Sequence, residues 1–316
     1  MSGVDPAAPA RAASPAAHLF DGLEAVPGVA KPDPILVANG VRRAFGGLTA
    51  VDVDHLEVQR GAITGLIGPN GAGKTTFFNL LTGFDEPDTG RWQFDGRDLA
   101  GVPAHKVAHQ GMVRTFQLTK SLARLSVLEN VKLGATGQRG EHIFASLIRP
   151  LWKDQEAQIE ARAEELLVRF KLDHMRDELA SSLSGGQRKL LEMARALMVN
   201  PTMVMLDEPM AGVNPALTQS LLGHVKGLRE LGMTVMFVEH DMDVVHDISD
   251  WVIVMGEGRV IAEGTPKQIS ANQAVIDAYL GAHHDAPSSV EEERARLAAA
   301  EAATEAERRA EEADGG

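Results

Sequence analysis

Nine consecutive residues, Gly68-Pro69-Asn70-Gly71-Ala72-Gly73-Lys74-Thr75-Thr76, are the stretch of this chain best suited to chemistry. From Gly68 to Thr75 they fit the spacing G-x-x-x-x-G-K-[S/T]. Glycines let successive backbone N–H groups curl around phosphate oxygens with no Cβ in the way. A helix beginning near Lys74 aims its positive end at the same charge. At this spacing Lys74 reaches the β- and γ-phosphates of a triphosphate, and the Thr75 hydroxyl holds Mg²⁺. A plain structural turn is the competing reading.

Two apolar runs deliver polar groups that belong beside such a cradle. Met203-Val204-Met205-Leu206 ends on Asp207 and Glu208, and Thr234-Val235-Met236-Phe237-Val238 ends on Glu239 and His240. Asp207 suits the Mg²⁺ shell, through water. Glu208 suits a general base that polarises the attacking water. His240 can donate to a γ-phosphate oxygen and sense its loss. Taken alone, acids at a strand end are also an ordinary exit into solvent, and a lone histidine is commonly structural. A second glycine motif, Leu183-Ser184-Gly185-Gly186-Gln187, stands just before a helix. Ser184 suits the N-cap, and Gly185 and Gly186 expose N–H groups at the positive helix end. It reads either as a simple cap or as an anion site whose anion comes from elsewhere.

The elements that must position these groups alternate short apolar strands with amphipathic helices, the pattern of an α/β sheet covered on both faces. Ile63-Thr64-Gly65-Leu66-Ile67 runs straight into the first motif, and Lys74 to Leu81 is the helix that follows. Strands that end on polar residues mark the ligand edge of a parallel sheet. Met203, Met205 and Met236 alternate as buried strand positions do. Strand signals stop between about 119 and 195, where Ser126 to Leu133, Gln155 to Phe170 and Gly185 to Met198 read as helices of an inserted subdomain. The folded body spans 33–281. Residues 1–32, rich in Ala and Pro, read as a disordered extension. Residues 282–316 read as an acidic Ala/Glu-rich tail, with nine acids and four bases between Val290 and Asp314 and almost no apolar face.

Composition narrows the classes. At 316 residues, 44% hydrophobic and 24% charged, the chain can bury a substantial core. It has no cysteine, which excludes disulfides and thiolate metal sites. A net charge of −13 argues against a nucleic-acid surface. No apolar run approaches the roughly 18 to 20 residues of a membrane span. The N-terminus lacks the charged start and long apolar stretch of a secretory signal, so a cytosolic chain is expected. His105 and His109 lie one helical turn apart without the further ligand a metal site needs.

Together these motifs resemble the ATP-binding subunits of ABC transporters, over about residues 35 to 281. Leu183 to Gln187 matches that family's signature letter for letter. The resemblance implies a P-loop NTPase core, mostly parallel with helices on both faces, carrying an antiparallel β subdomain and the inserted helical one. It implies that Phe45 stacks on adenine. It implies that Gln117, in Arg114-Thr115-Phe116-Gln117, contacts Mg²⁺ or water and faces the membrane subunits. Asp207 and Glu208 match the family's acidic pair, and His240 its switch histidine. Two such domains are expected to close head to tail on two ATPs, each ATP lying between Lys74 of one and Ser184 of the other.

Arg114 to Gln117, Val238-Glu239-His240-Asp241, Asn214 in the loop after Glu208, and the ending Ile261 through Gly281 are similar to the branched-chain amino-acid branch. That implies a second ATPase subunit, identical or related, transmembrane permease subunits, an external solute-binding protein, and a place on the cytoplasmic face of the membrane. Import of another small polar solute such as urea or an amide is the alternative. So is a non-transport ABC protein acting on DNA or ribosomes, which the acidic balance and the lack of a long heptad stretch oppose. A nucleotide-binding regulator that does not turn over is opposed by Glu208.

Overall fold

A computed structural model describes residues 19–115, 122–136, 150–213 and 215–284; side chains are described for all of these except 150–153, 215–216 and 280–284. Its centre is a six-stranded sheet in the order β10-β9-β3-β8-β7-β6. The members are β3 (Ile63–Ile67), β6 (Met112–Arg114), β7 (Met203–Asp207), β8 (Thr234–Val238), β9 (Trp251–Gly256) and β10 (Arg259–Gly264). All neighbours run parallel except β10, which pairs antiparallel with β9. Every residue of β3, β7, β8 and β9 is buried. That is the mark of parallel strands covered on both faces.

The period-two alternation divides the core in two. On one face Val204, Leu206, Val235, Phe237, Val252 and Val254 join the helices. On the other, Met203, Met205, Met236, Val238, Ile253 and Met255 meet α1 (Lys74–Leu81) and a second sheet. The three strand methionines are therefore core, as their spacing predicts. The second sheet is antiparallel, in the order β2-β1-β4-β5, with β1 (Pro34–Phe45), β2 (Leu48–Gln59), β4 (Thr89–Phe94) and β5 (Arg97–Asp98). Helix α2 (Ala104–His109) carries His105 and His109, both exposed.

The helical part is α3 (Val127–Lys132), α4 (Pro150–Arg169) and α5 (Gly185–Ala196). Helix α3 starts and stops as expected, because Ser126 and Glu129 close a reciprocal capping box. Helix α4 begins five residues before the expected Gln155, at Pro150, a residue suited to a first turn. Asn130, fully buried, gathers Leu122, Leu125 and Ser126 through their backbone groups. The chain ends with α6 (Pro215–Glu230), α7 (Met242–Ile248), α8 (Pro266–Ser270) and α9 (Gln273–His284) around the parallel sheet. Residues 1–18 and 285–316 lie outside the described residues.

Part of the expected disordered extension is built into the fold. The Phe20 ring stacks on Trp251 at 4.8 Å. Leu23 and Val29 pack against the same core. Lys31 Nζ meets Glu263 Oε2 at 2.7 Å, with only 1% and 2% of the two side chains exposed. The Glu263 carboxylate also accepts from the Val29 amide and from Trp251 Nε1, while the Lys31 amide donates to Glu57. Burial pushes Lys31 below the usual lysine range, and Glu263 and Glu57 oppose that. Ordering these residues is offset by a charge pair and two aromatic faces that average composition conceals. Removing one partner of a buried pair typically costs about 3–5 kcal/mol. Glu263→Ala is therefore expected to lower unfolding stability in urea by about that amount. A loss below about 1 kcal/mol, the worth of a surface pair, would show that this segment is not fastened through Glu263.

Candidate functional site

The loop between β3 and α1 is shaped by backbone that crowds it. A Cβ on Gly68 would stand 2.1 Å from the Met255 carbonyl oxygen, and one on Gly73 would stand 2.2 Å from that of Ala50. Both positions also need positive φ, 149° and 93°. No side chain fits either place. Ala72 is packed, whereas Asn70, Gly71 and Thr75 face solvent at the mouth; Pro69 and Thr76 are half-buried. The Ala72 carbonyl accepts from the Gly258 amide, and the Gly258 carbonyl accepts from Asp52 of β2, so the loop is pinned between the two sheets.

Lys74 turns back into this loop. Its Nζ donates to the Gly68 and Pro69 carbonyls at 2.7 and 2.9 Å. Burial drives its pKa down, and the nearby carboxylates of Glu208 and Asp207 resist. A desolvated ammonium on two carbonyls, under an arc of backbone N–H groups at a helix start, is a ready anion cradle.

Asp207 and Glu208 stand at the carboxyl end of β7, which lies between β8 and β6 in the sheet that also holds β3. Asp207 is held by a residue to which the sequence reading gave no role. Arg114 Nη2 bonds Asp207 Oδ2 at 2.6 Å, with both side chains 5% exposed, and Nη1 bonds Asn79 Oδ1 of α1. The guanidinium also lies over the Phe78 and Phe84 rings. The signal was its position at the end of a strand, β6, that leads to the same edge.

Glu208 has φ +45°, a left-handed conformation rare for residues other than glycine. Its amide donates to Val238. Its carbonyl accepts from Ala211 and from Lys189 Nζ, the latter at 2.8 Å. Glu239, 1% exposed, accepts from the Met210 amide, and burial raises its pKa. His240 follows with 64% of its side chain exposed, projecting from the sheet edge.

Ser184 is the N-cap of α5 and forms a capping box with Gln187. Gly186 is packed closely against Leu217, whereas a Cβ on Gly185 would meet nothing within 4 Å. Phe45 ends β1 with 48% exposure, and the Arg43 guanidinium sits 4.7 Å from its ring centre. Gln117 and Asn214 lie outside the described residues. Lys74, Asp207, Glu208, Glu239 and His240 thus gather at one sheet edge, and Lys189 brings the helix that begins at Ser184 to the same place.

Among the described residues no group of three or more His, Asp or Glu could hold a metal by itself. Thr75 at the start of α1 and Asp207 at the end of β7 are instead the sparse donor types that suit Mg²⁺ bound chiefly through nucleotide phosphates. The cradle and these donors fit a magnesium nucleotide.

Comparisons with known proteins agree with this geometry. The family described as ABC transporter matches residues 51–211, and the one described as branched-chain amino acid ATP-binding cassette transporter matches residues 259–285. The probable branched-chain amino acid transport ATP-binding protein LivG of Archaeoglobus fulgidus is 42% identical over 248 residues, 78% of this chain and 96% of its own. The high-affinity branched-chain amino acid transport ATP-binding protein BraF of Pseudomonas aeruginosa is 40% identical over 250 residues, 78% of this chain and 98% of its own. A nucleotide-free ATP-binding cassette from an ABC transporter superposes with a TM-score of 0.69 at 38% identity, covering 78% of this chain and 98% of that one. The ADP conformation of such a cassette gives 0.68 at 37% identity, covering 78% and 99%. On its motifs, its fold and these relatives, the chain belongs to the ABC transporter family, as one of its ATP-binding cassettes.

Proposed function

We propose that this cassette drives import of branched-chain amino acids through a membrane permease, by hydrolysing ATP between two ATPase subunits. ATP hydrolysis is the activity of the family to which the chain belongs. The solute is inferred from the relatives above and from the match at residues 259–285. Among the described residues no helix is long and apolar enough to cross a membrane, so the permease must be other chains. A cytoplasmic-face position and an external solute-binding protein follow from that arrangement.

One observation carries the two-subunit reading. Gly185 stands at an exposed helix N-terminus where, among the described residues, nothing requires a glycine. An anion approaching from outside does require one, because the N–H groups of the first turn must be reachable. The γ-phosphate of ATP held by a partner cassette supplies that anion, and Ser184, Gly186 and Gln187 complete the lid over it. The partner is a second copy or a related subunit.

Within one cassette the roles are as follows. The N–H groups of the loop from Gly68 to Thr76 and the Lys74 ammonium hold the phosphates. To do so, Lys74 exchanges its two carbonyl partners for phosphate oxygens. Thr75, Asp207 and Gln117 would hold Mg²⁺, which would supply neutralisation of the phosphate charge. Phe45 presents its ring to adenine, flattened against Arg43. Glu208 takes a proton from the attacking water. His240 donates to the γ-phosphate and loses its partner when that phosphate leaves.

Lys74→Ala is expected to weaken Mg-ATP binding about 10- to 100-fold, the worth of a charge-assisted bond to a desolvated anion. Calorimetry with unchanged affinity would refute the cradle. Glu208→Gln is expected to bind ATP normally, to hydrolyse it about 100-fold or more slowly, and to accumulate as an ATP-bound dimer. Wild-type turnover in that variant rules out the general-base role.

A further inference from the structure

Of the groups at the sheet edge, only Lys189 comes from the helical part of the fold. It stands five residues beyond Ser184 on α5, and its Nζ donates to the Glu208 carbonyl at 2.8 Å. The same carbonyl accepts from Ala211, closing a tight turn, and the Glu208 amide is spent on Val238. Inside that turn the Met210 amide is anchored on the buried Glu239 carboxylate. The Glu208 peptide is therefore gripped on both sides, by β8 and by its own turn, with α5 supplying a side-chain donor to its carbonyl. What this grip maintains is unusual, since Glu208 sits at φ +45°. An L residue in that region reverts to ordinary backbone unless its surroundings over-determine it.

We propose that Lys189 is a positioning residue that holds the Glu208 peptide in its left-handed conformation, and so ties the aim of the Glu208 carboxylate to the placement of the helix that begins at Ser184. Each cassette has one half-site at Lys74 and another at Ser184. The bond from Lys189 to Glu208 is the direct link between them within one chain. When Ser184 and Gly185 close on a partner's ATP, α5 moves, and Lys189 carries that movement to the carboxylate serving the chain's own ATP. A helix displaced from the dimer takes the Lys189 donor away from the Glu208 carbonyl. The turn can then relax toward common backbone, and the carboxylate loses its line to the attacking water.

The surroundings suit a fixed ammonium. Lys189 is half-buried, and the carboxylates that face it are Glu239 and Glu192, then Glu208 and Asp207. Burial lowers its pKa, and these four acids oppose the shift. A mobile surface lysine would have no such complement.

This inference rests on Glu208 being the general base, and the test separates the two. Full-length wild type, Lys189→Met, Lys189→Gln, Lys189→Arg, Glu208→Gln and the Lys189→Met/Glu208→Gln double variant are compared for ATP affinity and steady-state hydrolysis. Lys189→Met is expected to lose kcat about tenfold or more, with ATP Kd and KM within about twofold of wild type. Lys189→Gln should lie between, as a neutral donor, and Lys189→Arg should recover most of the rate. In the Glu208→Gln background, Lys189→Met should cost nothing further, because its effect passes through that carboxylate. Wild-type kcat in Lys189→Met alongside a slow Glu208→Gln overturns the role of Lys189 alone. So does a loss of ATP affinity that parallels the loss of rate in both Lys189→Met and Lys189→Gln, or a full additive loss in the double variant. Wild-type turnover in Glu208→Gln overturns the general-base assignment, and the proposal for Lys189 falls with it.

Discussion

Two backbone carbonyls, those of Met255 and Ala50, occupy the space that side chains at Gly68 and Gly73 would need. That crowding fixes one end of the cradle against β9 of the parallel sheet and the other against β2 of the antiparallel sheet. It also explains why the antiparallel sheet belongs to the machine at all. Phe45, proposed above as the adenine platform, ends β1 of that sheet, so its placement relative to the glycine loop follows from how closely β2 approaches that loop. The arc cannot open without separating two sheets that share a buried core. Lys74 is then left one direction in which to turn, onto the carbonyls of the loop's own first two residues.

Charges at the sheet edge are arranged so that none stands alone in the interior. Arg114 meets Asp207, Glu239 takes a backbone amide, and Lys189 lies among four acids. A buried ion pair contributes little net stability, but leaving one of its members unmatched is costly. The consequence for function is a stiff framework with few alternatives. Arg114 joins β6, α1 and β7, the elements that border the nucleotide, so Asp207 does not drift when phosphates come and go. The groups nearer the solvent are the exposed His240 and the mouth of the loop at Asn70 and Gly71.

The sheet edge was legible because each strand is a short, continuously apolar run stopped by a chemically distinctive residue. Ile63 to Ile67 stops at a glycine, Met203 to Leu206 at Asp207, and Thr234 to Val238 at Glu239. Their ends, and the helix starts at Lys74, Ser126 and Ser184, were visible for the same local reason, since caps and motifs are neighbours in the chain. What escaped was long-range. Arg114 meets Asp207 across 93 positions, and Lys31 meets Glu263 across 232. No periodicity announces such pairs. Residues 20 to 31 fall within the stretch 1–32, which reads as disordered because alanine and proline dominate its average, while two or three side chains do the packing. Lys189 lay within one turn of a motif that had been noticed, but its partner is a backbone carbonyl, which leaves no trace in residue types. The left-handed turn at Glu208 is likewise a property of its neighbours, invisible in a glutamate.

The same contrast distinguishes the two glycine motifs. At Gly68 and Gly73 the chain itself excludes a side chain, so those glycines serve the fold as well as the ligand. At Gly185 the described residues exclude nothing. A small residue with no internal reason to be small, at a helix end whose cap is already satisfied by Ser184 and Gln187, points outward to something that approaches closely and carries negative charge. A free anion could satisfy the helix end but could not bring two cassettes together. In the proposed pair of cassettes, ATP held by another Lys74 does both, because each phosphate then has partners in two chains. Closing on it stores the binding energy as an interface, and cutting the γ-phosphate removes the one group that both cassettes hold. A one-sided site would hydrolyse ATP and move nothing; dividing the site between chains is what turns the chemistry into displacement.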